Sequence, residues 1–397
     1  MEVDTKNTIT HVLLLSNYAP DKQFSMRRFT QQLMQGLRAE KVSVEIFLPP
    51  VIFGKLGAQP SGFGKWLGYI DKYLLCPILL KRKIRTLPKN SIVHICDHSN
   101  AIYTKVLKAT PHLVTCHDLL AIRSALGEIP QNCPKWTGKQ QQAMILKGLR
   151  KSRMIASVSE ATRTDVSRLI GTDKKWGHYI PNSLDDSFIL EANRPRNPRA
   201  CLQLPQLPPG IRYLMHIGGE KWYKNRTAAL EIFAALHKQN VSLHLIIVGP
   251  KFPEDTLKIS ECWEIQNHIH YLSGISDDEL RDLYKHAEML LFPSFMEGFG
   301  WPILEAQACG CPVVTLDIEP MRSLNALTKL AIKVDPLKHG YTAALSNACK
   351  HQLELSDSDK EKQQQAIKEF AAAFTNQASA KAYITLYKQL LKEAPLA

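Results

Sequence analysis

"FPSFMEGFGWPILEAQACGCPVVT", residues 292–315, decides how the chain is read. Two Val/Leu/Phe-rich runs flank a loop of Glu297, Gly298, Phe299 and Gly300, and Pro302 opens a segment of helical period that carries Glu305. Proline suits a first helical turn because its missing N–H would have no intrahelical partner there. The glycines let backbone N–H groups approach a ligand, and the helix start adds free donors and the positive end of a dipole. Strand, glycine loop and helix in that order predict a site for an oxygen-rich, anionic ligand. Glu305, about one turn into the helix, is placed to accept from vicinal hydroxyls such as those of a ribose.

Working outward, the same strand–helix alternation fills the chain. The runs 11–16, 42–50, 91–96, 112–118 and 154–160 read as strands in the first half. The runs 211–219, 241–249, 268–274, 289–294, 312–317 and 331–336 do so in the second. They are Val/Ile/Leu-rich without strict alternation, as parallel strands covered on both faces are. Helical segments are expected at 26–39, 135–151 and 160–170, and through the tail from 357. The fold class is therefore α/β, with a doubly wound, Rossmann-like sheet in each half. The predicted division is an N-terminal domain 1–195, a linker 196–210, a C-terminal domain 211–375 and a final helix 376–397. The stretch 193–210 holds five prolines and ends in a glycine, which is linker chemistry. Ligands bind such sheets at the carboxyl ends of the strands, where loops lead into helices.

Charge is uneven. Of 50 Lys+Arg and 37 Asp+Glu, residues 1–200 hold 30 and 15, a balance of +15, which leaves −2 for the rest. A basic half suits phosphate groups, nucleic acid or an anionic membrane, or is simply a solvated surface. Within it, 64–87 carries aromatic and aliphatic residues at near-helical spacing, followed by Lys81, Arg82, Lys83 and Arg85, with Lys65 and Lys72 nearby. Two readings stand: a helix lying on an anionic membrane, or one packed on the sheet and ending in solvated charges. No apolar run approaches the ~20 residues of a membrane span. The opening "MEVDTKNTIT" is not signal-like, and nine cysteines without paired spacing suit reduced thiols, so a cytoplasmic location is expected. No metal-ligand spacing stands out, and none of the nucleic-acid recognition motifs is present.

Residues 292–315 resemble the signature of the retaining glycosyltransferases of family 4, which have the GT-B fold of two Rossmann-like domains facing a cleft. The matching positions are Pro293, Ser294, Glu297–Gly300, Pro302, Glu305, Ala306, Ala308, Gly310 and Pro312–Val314. "TCHDL" (115–119), "ASVSEATRTD" (156–165), "IPNSLD" (180–185) and "IIVGP" (246–250) resemble further landmarks in the family's order. The tail resembles the family's C-terminal helices, one of which crosses back to the N-terminal domain.

The resemblance implies a metal-independent, retaining transfer from a UDP- or GDP-sugar, with no cofactor besides that donor. Glu305 would hold the ribose; Glu297, Phe299, Gly300 and Gly298 would meet the donor sugar and its diphosphate. Lys224 would neutralise the leaving diphosphate, His117 would lie beside the sugar, and Gly249, Gly219 and Ser25 would line the donor site. The acceptor would be a glycan or a lipid-linked or phosphorylated molecule on the N-terminal domain, in cell-envelope polysaccharide or glycolipid synthesis. The protein would be cytoplasmic, or peripheral on the cytoplasmic face of the membrane, and would bind no nucleic acid. Two departures stand out. Gly219 occupies the place of the family's arginine, with Lys221 and Arg226 as substitutes at other positions. The first loop, "NYAPDKQFSMRRF" (17–29), presents Phe24, Ser25 and Met26 instead of paired glycines. They leave open a weakened, non-catalytic protein that binds sugar nucleotides or acts as a scaffold subunit.

Overall fold

The computed structural model describes residues 8–56, 63–108, 110–172, 177–192, 207–208, 210–239, 242–336 and 338–393. The chain forms two compact units, 1–183 with 376–397 and 184–375. Among the described residues each is built on a six-stranded sheet, every neighbouring pair of which is parallel.

In the first unit the strands are β1 (His11–Leu15), β2 (Val44–Phe47), β3 (Ser91–Ile95), β4 (His112–Cys116), β5 (Met154–Ser157) and β6 (His178–Tyr179), in the order β2-β1-β3-β4-β5-β6. Strand periodicity sends alternate side chains to opposite faces. Leu13, Leu15, Val93, Ile95, Val114 and Cys116 share one core with Cys76, Leu80, Tyr103 and Leu149 from the helices above them. The other face receives the helices Phe24–Ala39 and Asn376–Glu393. There His94 on β3 bridges Tyr387 Oη (2.6 Å from Nδ1) and Thr115 Oγ1 (2.7 Å from Nε2), and Tyr383 Oη lies 2.9 Å from Thr115 Oγ1. Burial keeps His94 neutral, its pKa pushed down to about 3. The two helices touch backbone to backbone: a Cβ on Gly36 would stand 2.4 Å from the Asn376 carbonyl oxygen. The C-terminal helix is thus part of the N-terminal unit, as the fold class expected.

The second unit holds β7 (Tyr213–Ile217), β8 (His244–Val248), β9 (Ile269–Leu272), β10 (Met289–Phe292), β11 (Val313–Leu316) and β12 (Ala331–Ile332), in the order β12-β11-β10-β7-β8-β9. Leu214, Leu245, Ile247, Leu291 and Val314 pack against Leu230, Phe233 and Leu345. Four imidazoles gather near the starts of β8 and β9. His237 and His268 have ring centroids 4.3 Å apart, His244 and His268 5.0 Å, and His244 Nδ1 lies 2.9 Å from His270 Nε2.

Two boundaries differ from the sequence reading. β6 is two residues long and pairs through Ala156–His178 and Ser157–Tyr179, too short for any periodicity to announce it. The helix Asp186–Ala192, expected with the N-terminal domain, belongs to the second unit. Phe188 packs there under the Arg281 guanidinium (5.5 Å) and Glu191 pairs with Lys285 at 3.1 Å. The predicted linker 196–210 lies outside the described residues apart from 207, 208 and 210.

Candidate active site

The loops at the carboxyl edge of the second sheet are tied to one another. Gly249 follows β8 with φ +145°, and a Cβ there would sit 2.4 Å from the Gly218 carbonyl oxygen, so only glycine fits. Gly218 N–H donates to Val248 O at 3.1 Å. Phe295 N–H donates to Tyr223 O at 2.8 Å, and Asn225 Nδ2 donates to Pro293 O at 2.9 Å. These bonds lash the loop after β7 to the loop after β10. The quoted stretch runs as expected: β10 ends at Phe292, and Gly300 at φ +111° leads into the helix Trp301–Ala308 with Pro302 in its first turn.

Lys224 and Glu297 meet at this edge. Lys224 Nζ donates to both carboxylate oxygens, at 2.7 and 2.9 Å. The side chains are 19% and 8% exposed, so the pair is shielded but reachable. Lys224 also lies over the Phe292 ring at 5.5 Å. Glu305 is buried on the helix that the loop feeds, and Phe299 is buried edge-on to Trp301 at 5.7 Å. His216, beneath, gives its Nδ1–H to Leu291 O at 2.9 Å; burial pushes its pKa down to about 4, so the imidazole adds no charge.

The two substitutes for the missing arginine fare differently. Arg226 is turned away, donating to Pro250 O with its guanidinium 4.6 Å from the Phe252 ring centre. Lys221 is exposed and has no carboxylate partner among the described residues. Gly219 is open: a Cβ there meets nothing within 4 Å.

The first unit carries its own group at the carboxyl edge of its sheet. His117, after β4, gives its Nε2–H to Cys96 O at 2.9 Å and stacks edge-on with Phe29 at 4.8 Å. Burial lowers its pKa, against a smaller opposing pull from Asp97. Asp97 accepts from Ser99 N–H (3.0 Å), Ser99 Oγ (2.7 Å) and Asn17 Nδ2, and its Oδ1 lies 3.1 Å from His98 Nδ1. Burial alone would raise the Asp97 carboxyl, but His98 and these donors outweigh it and hold it well below the usual range. Asn17 comes from a loop 80 residues away, and no spacing rule would have linked it to Asp97. Ser25 stands exposed at the second position of the helix Phe24–Ala39, where backbone N–H groups are unpaired by intrahelical bonds. Phe24 beside it is 70% exposed, so its ring turns to solvent and does not cover the helix start.

Of the predicted residues, the structure brings Lys224 and Glu297 into contact, sets Phe299 and Gly300 on the same loop and Glu305 on its helix, and packs Gly249 on the Gly218–Gly219 turn. His117 and Ser25 belong to the other unit. Among the described residues no three His, Cys, Asp or Glu side chains are grouped to hold a metal ion.

Two family models match: Glycosyltransferase Family 4 over residues 26–188, and Glycosyl transferases group 1 over residues 206–369. The chain belongs to glycosyltransferase family 4. Among curated relatives of this family 4 chain is an Escherichia coli O-antigen chain mannosyltransferase B, 25% identical over 279 residues, covering 68% of this chain and 70% of that one. Another is D-inositol 3-phosphate glycosyltransferase 2 of Catenulispora acidiphila, 25% identical over 217 residues, where the match spans 51% of this chain and 48% of the relative. Among solved structures, sucrose-phosphate synthase from Thermosynechococcus elongatus superposes with a TM-score of 0.68 at 16% identity, covering 96% of this chain and 99% of that one. A trehalose-6-phosphate protein from E. coli, solved with UDP-2-fluoro glucose, gives 0.64 at 13%, with the same coverages. These likenesses establish the two-domain α/β GT-B fold, and family membership makes the chain a glycosyltransferase.

Proposed function

We propose that this glycosyltransferase moves a hexose from a nucleoside-diphosphate sugar, a UDP- or GDP-sugar, to a glycan or a lipid-linked or phosphorylated acceptor, with retention of configuration and without a metal ion. The carrying observation is the Lys224–Glu297 pair beside the Gly300 helix start. Departure of a nucleoside diphosphate builds negative charge on phosphate and positive charge on the sugar ring. A fixed ammonium and helix N–H groups answer the first, and a neighbouring carboxylate answers the second. In the free protein Glu297 holds Lys224 in place; the incoming diphosphate shares that ammonium without a large rearrangement. Lys221 is the free cation nearest in sequence and supplies the second charge where the family has arginine. We read Glu305 as the ribose acceptor, as the family resemblance implies.

The relatives that act on O-antigen chains and inositol phosphate favour a role in cell-envelope polysaccharide or glycolipid synthesis. The +15 balance of residues 1–200 suits a phosphorylated acceptor and work at an anionic membrane surface on the cytoplasmic side.

The test is a screen of UDP- and GDP-sugars for binding and hydrolysis, with and without EDTA. The expected result is a thermal shift with one nucleoside diphosphate, since a ligand at ~100 times its Kd adds about 2.7 kcal/mol, and turnover indifferent to the chelator. Turnover lost in EDTA and restored by Mg²⁺ or Mn²⁺ would overturn the metal-independent mechanism. Binding without any turnover would favour the scaffold reading.

A further inference from the structure

The segment 63–85 of the first unit is one helical run with a break in its winding. The helix Phe63–Ile70 passes into a π turn, Asp71–Leu75, and on into the helix Cys76–Arg85. Gly68, Asp71, Cys76 and Leu80 are buried along its inner side. Trp66, Leu74 and Ile78 are 62%, 62% and 53% exposed, an unusual amount of large apolar surface for one element.

The π turn sets where these three point. On a regular helix residues four apart drift by about 40° per step, so Trp66 and Ile78 would be separated by about 120°. A π turn closes through i→i+5 bonds and is wider, which takes back part of that drift. Trp66, Leu74 and Ile78 are thereby drawn toward one stripe. Beyond Ile78, positions 81, 82 and 85 return to the same side at i+3, i+4 and i+7. Lys81, Arg82 and Arg85 stand there exposed, without a carboxylate partner among the described residues. Two other cations of the run are spent: Lys83 pairs with Glu45 at 2.7 Å and Lys72 with Asp21 at 3.0 Å.

The run is also fixed to the body of the unit. The buried Asp71 carboxylate, at the π turn, accepts from the N–H groups of Ile52 (3.0 Å), Phe53 (3.0 Å) and Gly54 (2.9 Å) and from Tyr18 Oη (2.8 Å). The inner side of the run is therefore tied down, and the stripe is held outward.

We propose that this run is a docking element for an anionic lipid surface: Trp66, Leu74 and Ile78 enter the interface while Lys81, Arg82 and Arg85 meet the lipid phosphates. An apolar stripe that continues into unpaired cations matches the apolar and anionic layers of such a surface in order of depth. The inference rests on the reading of the first unit as working at an anionic surface and assigns that role to one face.

Co-sedimentation of the full chain with phosphatidylcholine vesicles, alone or containing phosphatidylglycerol, tests it. The wild type is expected to pellet with the anionic vesicles, stay in solution with neutral ones, and be released by salt, which screens these charges. The triple variant Lys81→Gln/Arg82→Gln/Arg85→Gln is expected to lower partition by roughly a hundredfold, about fivefold per charge. Leu74→Asp, a single change at an exposed position, is expected to lower it tenfold or more with an unchanged melting curve. If the wild type ignores anionic vesicles at low salt, the membrane reading itself falls. If the wild type binds and both variants bind equally well, that reading stands and this docking face is wrong.

Discussion

Replacing Gly249 with alanine tests whether the loops of the second unit are positioned as described. The added Cβ would lie 2.4 Å from Gly218 O, about 1 Å inside the closest ordinary contact, at a φ of +145° that side chains rarely adopt. The backbone strain is worth about 1–3 kcal/mol. Relief requires the ends of β7 and β8 to part, which weakens the Gly218–Val248 bond at about 0.5–1.5 kcal/mol more. A total of about 2–4 kcal/mol in a unit spanning residues 184–375 lowers Tm by roughly 5–15 °C. The same 1 Å displaces the turn that leads to Lys224, and misplacement on that scale costs about a hundredfold in turnover. Differential scanning calorimetry and a donor hydrolysis assay measure the two effects. Gly219→Ala is the control for stability, since its Cβ meets nothing within 4 Å and should leave Tm unchanged. A Gly249→Ala protein with wild-type Tm and turnover would refute the close approach of the two loops.

Other outcomes follow from single contacts. Lys224→Met should reduce turnover by about 10²–10³-fold by removing a charge aimed at the leaving group; undiminished turnover would remove Lys224 from the reaction. Glu305→Gln turns one acceptor oxygen into a donor, and calorimetry should show nucleoside diphosphate binding weakened about tenfold or more, since a hydrogen bond to a charged group is worth about 1.5–3 kcal/mol. Burial lowers the pKa of His237, His244 and His270 in the folded chain. Between those lowered values and the unfolded value of about 6.5 the unfolded chain binds more protons, so stability is full above that value and lost as pH falls below it. Urea midpoints should therefore fall from pH 7.5 to pH 5; His270→Gln should flatten the slope, and an identical slope would exclude the cluster as a source.

Much of the architecture was legible because parallel strands buried on both faces leave uninterrupted apolar runs. Leu13–Leu15 and Leu290–Phe292 are such runs, and each lies on an inner strand of its sheet, with a neighbour on both sides. The loop 297–300 was legible for a different reason: a positive-φ residue before a helix calls for glycine, and Gly300 supplies it. What the chain order hid was pairing at a distance. Lys224 and Glu297 are 73 residues apart, and nothing local to either marks the other as its partner. The charge arithmetic of segment 64–87 misled in the same way, because Glu45 and Asp21 neutralise two of its cations from other elements. Asp186–Ala192 was assigned to the wrong unit because an amphipathic helix beside a linker does not state which core its Phe188 will enter.

Because the first unit is completed by residues 376–393, its assembly is out of step with its synthesis. A ribosome adding about 5–20 residues per second reaches Asn376 roughly 10–40 s after Ser183. In that interval the whole of the second unit emerges and has everything it needs to fold. The first sheet meanwhile waits with the pocket for Tyr383 and Tyr387 unfilled and with His94 and Thr115 facing water. Nascent chains of this protein should therefore pass through a stage in which the later-made unit is native and the earlier-made one is not, with Leu33 and Leu37 as the surface a chaperone would find. A stop codon at 376 would leave the Lys224–Glu297 site intact while withholding the helix that finishes the first unit.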